Sequence, residues 1–147
     1  MSNNTVKWTQ LQTAVTISNA TATASAAFLN AGTVYDNSLA TALDQFGFLS
    51  LQLASLAVAN PGYVTFYLTP SYDGTNYADV PAATNPAADQ IIATVSTTTS
   101  TAAHILNTPP FRIPPCKFKF SLQNNLGVAF SNSTNTLLFY AADDMVL

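Results

Sequence analysis

The chain contains no glutamate, and charged residues of all kinds make up only 7% of its 147 residues. Typical soluble domains carry about 25% charged residues, and this surface charge keeps them from associating. A protein with so little charge is therefore expected to cover much of its surface with partners. Its cations are Lys7, Arg112, Lys117 and Lys119, and against seven acidic residues they give a net charge of −3. Because these cations cannot form a patch that neutralises many phosphates, we expect no nucleic-acid partner.

Cysteine and histidine each occur once, as Cys116 and His104. Cys116 has no intrachain partner for a disulfide, and we expect it to be a small apolar residue at the start of a strand. A zinc site needs several Cys or His ligands. A Ser-His-acid triad could use only His104, for which we expect a structural role, and the sequence has no G-x-S-x-G motif. We therefore expect no enzyme activity, no cofactor and no metal site.

Long apolar runs are also missing, since no segment approaches the ~20 residues that span a bilayer. The N-terminal sequence MSNNTVKWTQ lacks the apolar stretch of a signal peptide. These absences predict a soluble protein that is made in a reducing cytoplasm and has no membrane partner. The content of 48% hydrophobic residues argues against disorder, and the length fits one domain with its own core.

The chain is rich in threonine and in segments where apolar and polar residues alternate. Threonine favours strands, and the scarcity of Lys and Glu removes common helix formers. Alternation predicts buried faces on three strands: Leu49, Leu51 and Leu53; Val64, Phe66, Leu68, Pro70 and Tyr72; and Phe118, Phe120 and Leu122. We expect further strands from Ile91 to Val95 and, at an edge or a crossing, within the proline-rich residues 108–115. About eight to ten short strands predict an all-β fold, an antiparallel β-sandwich or jelly roll.

The N-terminal region shows little alternation of apolar and polar residues. Residues 1–32 are rich in Thr, Ala, Ser and Asn and offer little to bury. They predict an extended arm or a weak edge strand, followed by a single sandwich domain of residues 33–147. Behind Asn37 and Ser38, the residues from Leu39 fit either a short helix or an approach strand.

The C-terminal segment Leu137 to Ala142 is apolar on both faces. Such a strand is either central in a sandwich or covered by another subunit. The alternatives of core and subunit interface therefore stay open for four residues: Leu137, Leu138, Phe139 and Tyr140.

The segment Tyr63 to Val80, YVTFYLTPSYDGTNYADV, combines a strand with a turn. Its alternation predicts one buried and one wet face, and Asp73-Gly74 predicts a tight hairpin turn with residues 75–80 as the returning strand. Asp73, Asn76 and Asp79 could offer oxygen ligands to calcium. The D-x-[DN]-x-[DN]-G loop is absent, however, and the adjacent glycine explains Asp73 as a turn residue.

Three segments resemble one known family. SYDGTNYADV, residues 71–80, is similar to the S-x-DG-T-N-(W/Y) hairpin of small β-sandwich structural proteins on the capsids and tails of tailed bacteriophages. SLQL, residues 50–53, resembles the strand that precedes this hairpin in the same proteins. The strand with Phe118 and Phe120 resembles their R-x-x-(K/R)-x-x-(V/F)-x-N strand, with Pro114 and Pro115 interrupting the pattern.

The resemblance implies a virion structural protein, made in the bacterial host cytoplasm and located on the capsid surface. It is most like a decoration (cement) protein that bridges coat subunits and stabilises the assembled head. The implied partners are the major capsid protein and further copies of the chain, with a homotrimer as the expected form. A tail, connector or fibre-associated protein is the alternative within the virion. A carbohydrate-binding sandwich is a rival from another class, with six candidate stacking residues: Trp8, Tyr35, Tyr63, Tyr67, Tyr72 and Tyr77.

Overall fold

Strands account for nearly all regular structure in the residues that the computed structural model describes, 4–15, 27–38, 44–58, 60–77, 90–131 and 135–146. They are β1 (Asn4–Val15), β2 (Ala27–Asp36), β3 (Phe46–Leu53), β4 (Tyr63–Ser71), β5 (Ile91–Ser96), β6 (His104–Asn107), β7 (Phe111–Arg112), β8 (Lys117–Asn125) and β9 (Thr136–Val146). Within these ranges no helix is long and apolar enough to cross a membrane. The predicted all-β fold is confirmed.

The strands form two antiparallel sheets that pack face to face. The five-stranded sheet has the order β1-β9-β3-β6, with β7 also paired to β3, and the four-stranded sheet has the order β2-β8-β4-β5. Neighbours in each sheet are mostly distant in sequence, because the chain crosses repeatedly from one sheet to the other. Side chains from both sheets meet in one hydrophobic core, so the architecture is the predicted β-sandwich.

The strand pairing is nested along the chain. β1 pairs with β9, β2 with β8, β3 with β6 and β7, and β4 with β5. The chain therefore resembles one long hairpin whose two halves lie side by side. Pairing of β3 with β9 and of β4 with β8 winds this hairpin into two sheets, which is the arrangement of a jelly roll.

The core is built from alternate residues of the central strands. β3 and β8 bury the faces that alternation predicted: Leu49, Leu51, Leu53, Phe118, Phe120 and Leu122. The ring of Phe139, from β9, lies at the centre, with its centroid 4.9 Å from the rings of both Tyr35 and Phe120. Gly47 leaves room for this ring, since a Cβ atom there would lie only 2.6 Å from Phe139 Cε2.

β4 differs from its prediction because both of its faces are buried. The side expected to be wet is at most 5% exposed at Thr65, Tyr67, Thr69 and Ser71. β4 lies between β5 and β8, and side chains beside it engage its hydroxyl groups. Tyr67 donates to Gln123 Oε1 at 3.2 Å, and Thr69 Oγ1 donates to Gln90 Oε1 at 3.1 Å. Alternation separates the two sides of a strand, but it does not reveal that both are covered.

The sequence predicts a strand directly after the Asp73-Gly74 turn, but the described part of that segment contains none. Residues 75–77 form no strand, and residues 78–80 lie outside the described residues. The antiparallel neighbours of β4 are instead β8 and β5. Tyr63, at the start of β4, lies opposite Ser96, at the end of β5. The connection from β4 to β5 is therefore longer than a tight hairpin turn.

The N-terminal region expected to be an arm or a weak edge strand contains two strands at sheet edges. β1 borders the five-stranded sheet and pairs with β9 from Asn4, opposite Val146, to Val15, opposite Leu137. β2 borders the four-stranded sheet and pairs with β8. The alternatives of a short helix or an approach strand concern residues 39–43, which lie outside the described residues.

Asn37 connects three segments at one end of the sandwich. Its side chain is buried, with 1% exposed. Nδ2 donates to the carbonyl oxygens of Asp44, at 2.9 Å, and Pro114, at 3.1 Å, while Oδ1 accepts from the N–H of Asp44 at 2.9 Å. Its backbone N–H also donates to the Cys116 carbonyl at 3.3 Å. The amide thereby joins the segment after β2 to those before β3 and β8.

Replacement of Asn37 tests this connection. Asn37→Ala removes the side-chain hydrogen bonds and leaves buried backbone groups without those partners, so the free energy of unfolding should fall by about 2–3 kcal/mol. Urea unfolding followed by circular dichroism measures the loss. Asn107→Ala, at an exposed position of β6, is the matched control and should cost less than about 0.5 kcal/mol. Equal losses in the two variants would contradict the role of Asn37.

Candidate protein interface

The outer face of the five-stranded sheet carries aromatic and aliphatic side chains. In β3 the buried leucines point to the core, so Phe46, Phe48 and Ser50 point outward. In the neighbouring β9, Tyr140 lies opposite Phe48 and Leu138 lies opposite Ser50. The side chains of Phe46, Phe48, Leu138 and Tyr140 are partly exposed. We call these four residues the outer apolar face.

Core and subunit interface were both open for four residues of β9. In the structure, two of them face the core and two face outward. Leu137 and Phe139 are each 1% exposed and lie between the sheets. They are therefore core residues, and their assignment to a subunit interface is corrected. Leu138 and Tyr140 lie on the outer apolar face and remain candidates for contact with another subunit. The sequence could not separate the two pairs, because both consist of large apolar or aromatic side chains.

Ring stacking orders the outer apolar face. The rings of Phe48 and Tyr140 are stacked, with centroids 4.4 Å apart and an interplanar angle of 7°. The guanidinium carbon of Arg112 lies 5.4 Å from the centroid of the Phe46 ring. Because stacking restricts these side chains before a partner arrives, less conformational entropy is lost on binding.

Few charged side chains are described around the outer apolar face. Up to Ala142, where the description of the β9 side chains ends, the outward residues of β3, β6, β7 and β9 other than Arg112 are uncharged: Phe46, Phe48, Ser50, Gln52, Ile105, Asn107, Thr136, Leu138, Tyr140 and Ala142. Ile105, on β6, is 65% exposed. A face that is apolar at its centre and polar but uncharged around it has the composition of a protein interface.

Asp73 and Gly74 lie in the bend that follows β4. Asp73 Oδ1 accepts hydrogen bonds from the N–H groups of Thr75, at 2.8 Å, and Asn76, at 2.7 Å, and Oδ2 accepts from Asn76 Nδ2 at 2.7 Å. These bonds, first that from Thr75 and then those from Asn76, lower the pKa of Asp73 to about 2. Gly74 has a φ of 74°, which favours glycine. The carboxylate is thus engaged by its own turn, and Asp79 of the calcium hypothesis lies outside the described residues.

His104 and Cys116 are both buried. His104 begins β6 opposite Leu53 and is 8% exposed, and its Nε2 has no hydrogen-bond partner among the described residues. Cys116 precedes β8 and is 5% exposed, and burial raises the pKa of its thiol. In the described part of the chain, no group of three or more His, Cys, Asp or Glu side chains could hold a metal ion. Both residues contribute to packing.

Three of the aromatic residues considered for sugar binding are engaged within the fold. Tyr35 donates a hydrogen bond to Asp44, and its pKa is raised, chiefly by burial and then by that bond. Tyr67 is 2% exposed. The ring of Tyr77 has Lys119 Nζ 4.0 Å from its centroid. These contacts within the fold account for the three side chains without a sugar ligand.

Two other tyrosines are exposed but lie far apart. Tyr63 is 44% exposed at the start of β4, and Tyr72 is 83% exposed just after its end. At about 3.3 Å per residue, the strand separates them by roughly 30 Å. They cannot form one platform for a single sugar ring, and the side chain of Trp8 lies outside the described part of the structure.

Comparisons of the chain with models of protein families, with curated proteins and with solved structures found no match.

The turn at Asp73 makes stability depend on pH in the acid range. Its pKa is lowered from the ordinary 3.8 to about 2 in the folded protein. The stabilisation is therefore present above pH 3.8 and is lost as the pH falls towards 2. Asp73→Asn keeps an acceptor oxygen but does not titrate, so it should flatten this part of the stability profile. Unfolding measured across this pH range checks the effect, and a carboxyl titration midpoint at the ordinary value, measured by NMR, would contradict it.

Proposed function

We propose that this protein is a virion structural protein, a capsid decoration protein that binds the major capsid protein and stabilises the assembled phage head. The observation that carries the proposal is the outer apolar face, where stacked rings and an uncharged surround favour contact with another protein. The likeness of SYDGTNYADV and SLQL to segments of bacteriophage structural proteins supports the virion context.

The jelly-roll arrangement supports the same proposal. Double-sheet jelly rolls occur in viral capsid proteins, and also in lectins and cupins. The fold alone is therefore compatible with several functions, and the surface has to distinguish them. The separation of Tyr63 from Tyr72 disfavours the lectin alternative, while the outer apolar face favours attachment to a protein.

The proposed mechanism is passive. Binding to the assembled shell, and not to free coat subunits, stabilises the shell by RT ln(1 + [L]/Kd). Burial of apolar surface contributes about 25 cal/mol per Å², from which the entropy cost of association is subtracted. Because Arg112 is the only charge among the described side chains around the face, binding should depend only modestly on salt.

Self-association is the second part of the proposal. The low content of charged residues, 7%, and the outer positions of Leu138 and Tyr140 favour contact between copies of the chain. The trimer is the form that the resemblance implies. A tail, connector or fibre-associated position would use the same face, and the location of the protein on the particle distinguishes these alternatives from capsid decoration.

Particles prepared with and without the protein test the proposal. Particles lacking it should still assemble but should release their genome at a lower temperature, because the coat loses a ligand of its assembled state. Added purified protein should restore heat resistance in a saturable way. Genome release is followed with a dye that fluoresces on nucleic acid. Equal heat resistance with and without the protein would contradict the decoration function.

Variants of the outer apolar face test the surface itself. Leu138→Asp and Tyr140→Asp should each weaken attachment to particles by about tenfold or more, because a carboxylate enters an apolar contact. Val34→Asp is the control, since Val34 is 43% exposed and lies on the four-stranded sheet. Thermal unfolding of all three variants checks that they fold. If Val34→Asp weakens attachment as much as folded Leu138→Asp, this surface is not the binding face.

A further inference from the structure

A cleft of about 410 Å³ opens at one side of the sandwich, between β4 and β5 of one sheet and β7 of the other. Its apolar lining includes Leu68 and Ile92 from the four-stranded sheet and Phe111 from the five-stranded sheet. Its polar lining residues include Arg112 and Gln90. An apolar lining with a few polar groups is the usual composition of a binding cleft.

Arg112 brings a positive charge to the cleft that no described side chain neutralises. Lys117 pairs with Asp36 at 3.7 Å, and Lys119 lies over the ring of Tyr77. Arg112 lies over the ring of Phe46, and no carboxylate of the described side chains pairs with it. The contact with Phe46 positions the guanidinium at the rim of the cleft, and no described residue accepts a hydrogen bond from its N–H groups. A guanidinium presented in this way suits a carboxylate, which it can bind through two parallel hydrogen bonds.

Gln90 adds a second polar group on the opposite side of the cleft. Its Oε1 accepts a hydrogen bond from Thr69 Oγ1 at 3.1 Å, and Thr69 is fully buried. This bond orients the amide and leaves its Nε2 group to donate. The cleft therefore presents donors from Gln90 and Arg112, which complements an acceptor such as a carboxylate or a peptide carbonyl.

The edge of β5 beside the cleft favours a peptide as the ligand. β5 is the last strand of its sheet and pairs only with β4 among the described strands. Its sequence, IIATVS, has no charge or proline, the residues that commonly protect strand edges. The register irregularity opposite Phe66 and Tyr67 lies near the start of β5 and leaves Ala93–Ser96 regularly paired. The backbone groups on this edge have no partner strand in the described part of the chain and can bind an added strand.

We propose that the cleft binds an extended segment of a partner protein that carries an Asp or Glu next to an apolar residue. The carboxylate binds Arg112, the apolar side chain packs against Leu68, Ile92 and Phe111, and the backbone of the segment lies along β5. The cleft borders the outer apolar face at Arg112, whose guanidinium lies over Phe46. The proposal is carried by the cleft lining and by the edge of β5, so it does not rest on the proposed function. It assigns a carboxylate-bearing peptide as the class of ligand.

Selection from a random peptide library, displayed on ribosomes and applied to the purified chain, tests the proposal without a known partner. Peptides selected on the unaltered protein should be enriched in Asp or Glu beside apolar residues, and those selected on Arg112→Gln should not. A selected peptide is then synthesised with its acid and with the matching amide. The acidic peptide should bind about tenfold or more tightly than the amide peptide, because it makes a charge-assisted bidentate contact.

The control variants separate the cleft from general charge effects. Arg112→Gln should remove the preference for the acidic peptide, Arg112→Lys should keep part of it, and Lys119→Gln, outside the cleft, should keep all of it. Thermal unfolding checks that each variant folds. If Arg112→Gln does not fold, Arg112→Lys is used in its place to test the preference for the acidic peptide. Equal binding of the two peptides, or an unchanged preference in folded Arg112→Gln, would overturn the proposal. N-acetylglutamate binding as tightly as the peptide would overturn the assignment to a peptide segment.

Discussion

The packing of Phe139 between the sheets is the interaction on which the rest of the structure depends. Its ring lies with centroid distances of 4.9 to 6.4 Å from four other aromatic rings: Tyr35, Phe111, Phe118 and Phe120. Three of these rings come from the four-stranded sheet, so one side chain of β9 connects both layers. Gly47 of the adjacent β3 permits this position, since a side chain there would overlap the ring. Because side chains alternate along a strand, turning Phe139 inward also turns Leu138 and Tyr140 outward.

Both proposed binding surfaces follow from the way the roll is built. β9 and β3 are neighbours inside the five-stranded sheet, so their outward residues form one continuous face and not isolated side chains. The other sides of the roll end at β5 and at the short β7, and the cleft opens between them. The described centre of the face is apolar, the cleft has apolar walls, and Arg112 lies where the two surfaces meet. The two surfaces therefore suit different partner segments, which is compatible with the proposed bridging of neighbouring subunits.

The sequence was sufficient for the strands whose apolar residues alternate with polar ones. The inward leucines of β3 and the inward aromatic residues of β8 are buried as predicted, because a period of two assigns each residue to a side. The sequence was insufficient for β4, where the polar Thr69 is fully buried and hydrogen-bonds to Gln90. It was also insufficient for β9, where similar side chains occupy opposite faces. The nested pairing and the cleft join residues far apart in the chain. Local patterns contain no information about such pairs.

An electron cryomicroscopy map of the phage particle to which the proposal assigns this chain tests the central claim most directly. The account predicts jelly-roll density on the outside of the shell, with the five-stranded sheet towards the coat or a neighbouring copy and with Tyr140 and Phe48 in the contact. Density for the chain in a tail or fibre would support the tail, connector or fibre-associated alternative and contradict capsid decoration. A map in which the outer apolar face is open to solvent, or particles that contain none of the protein, would contradict the account.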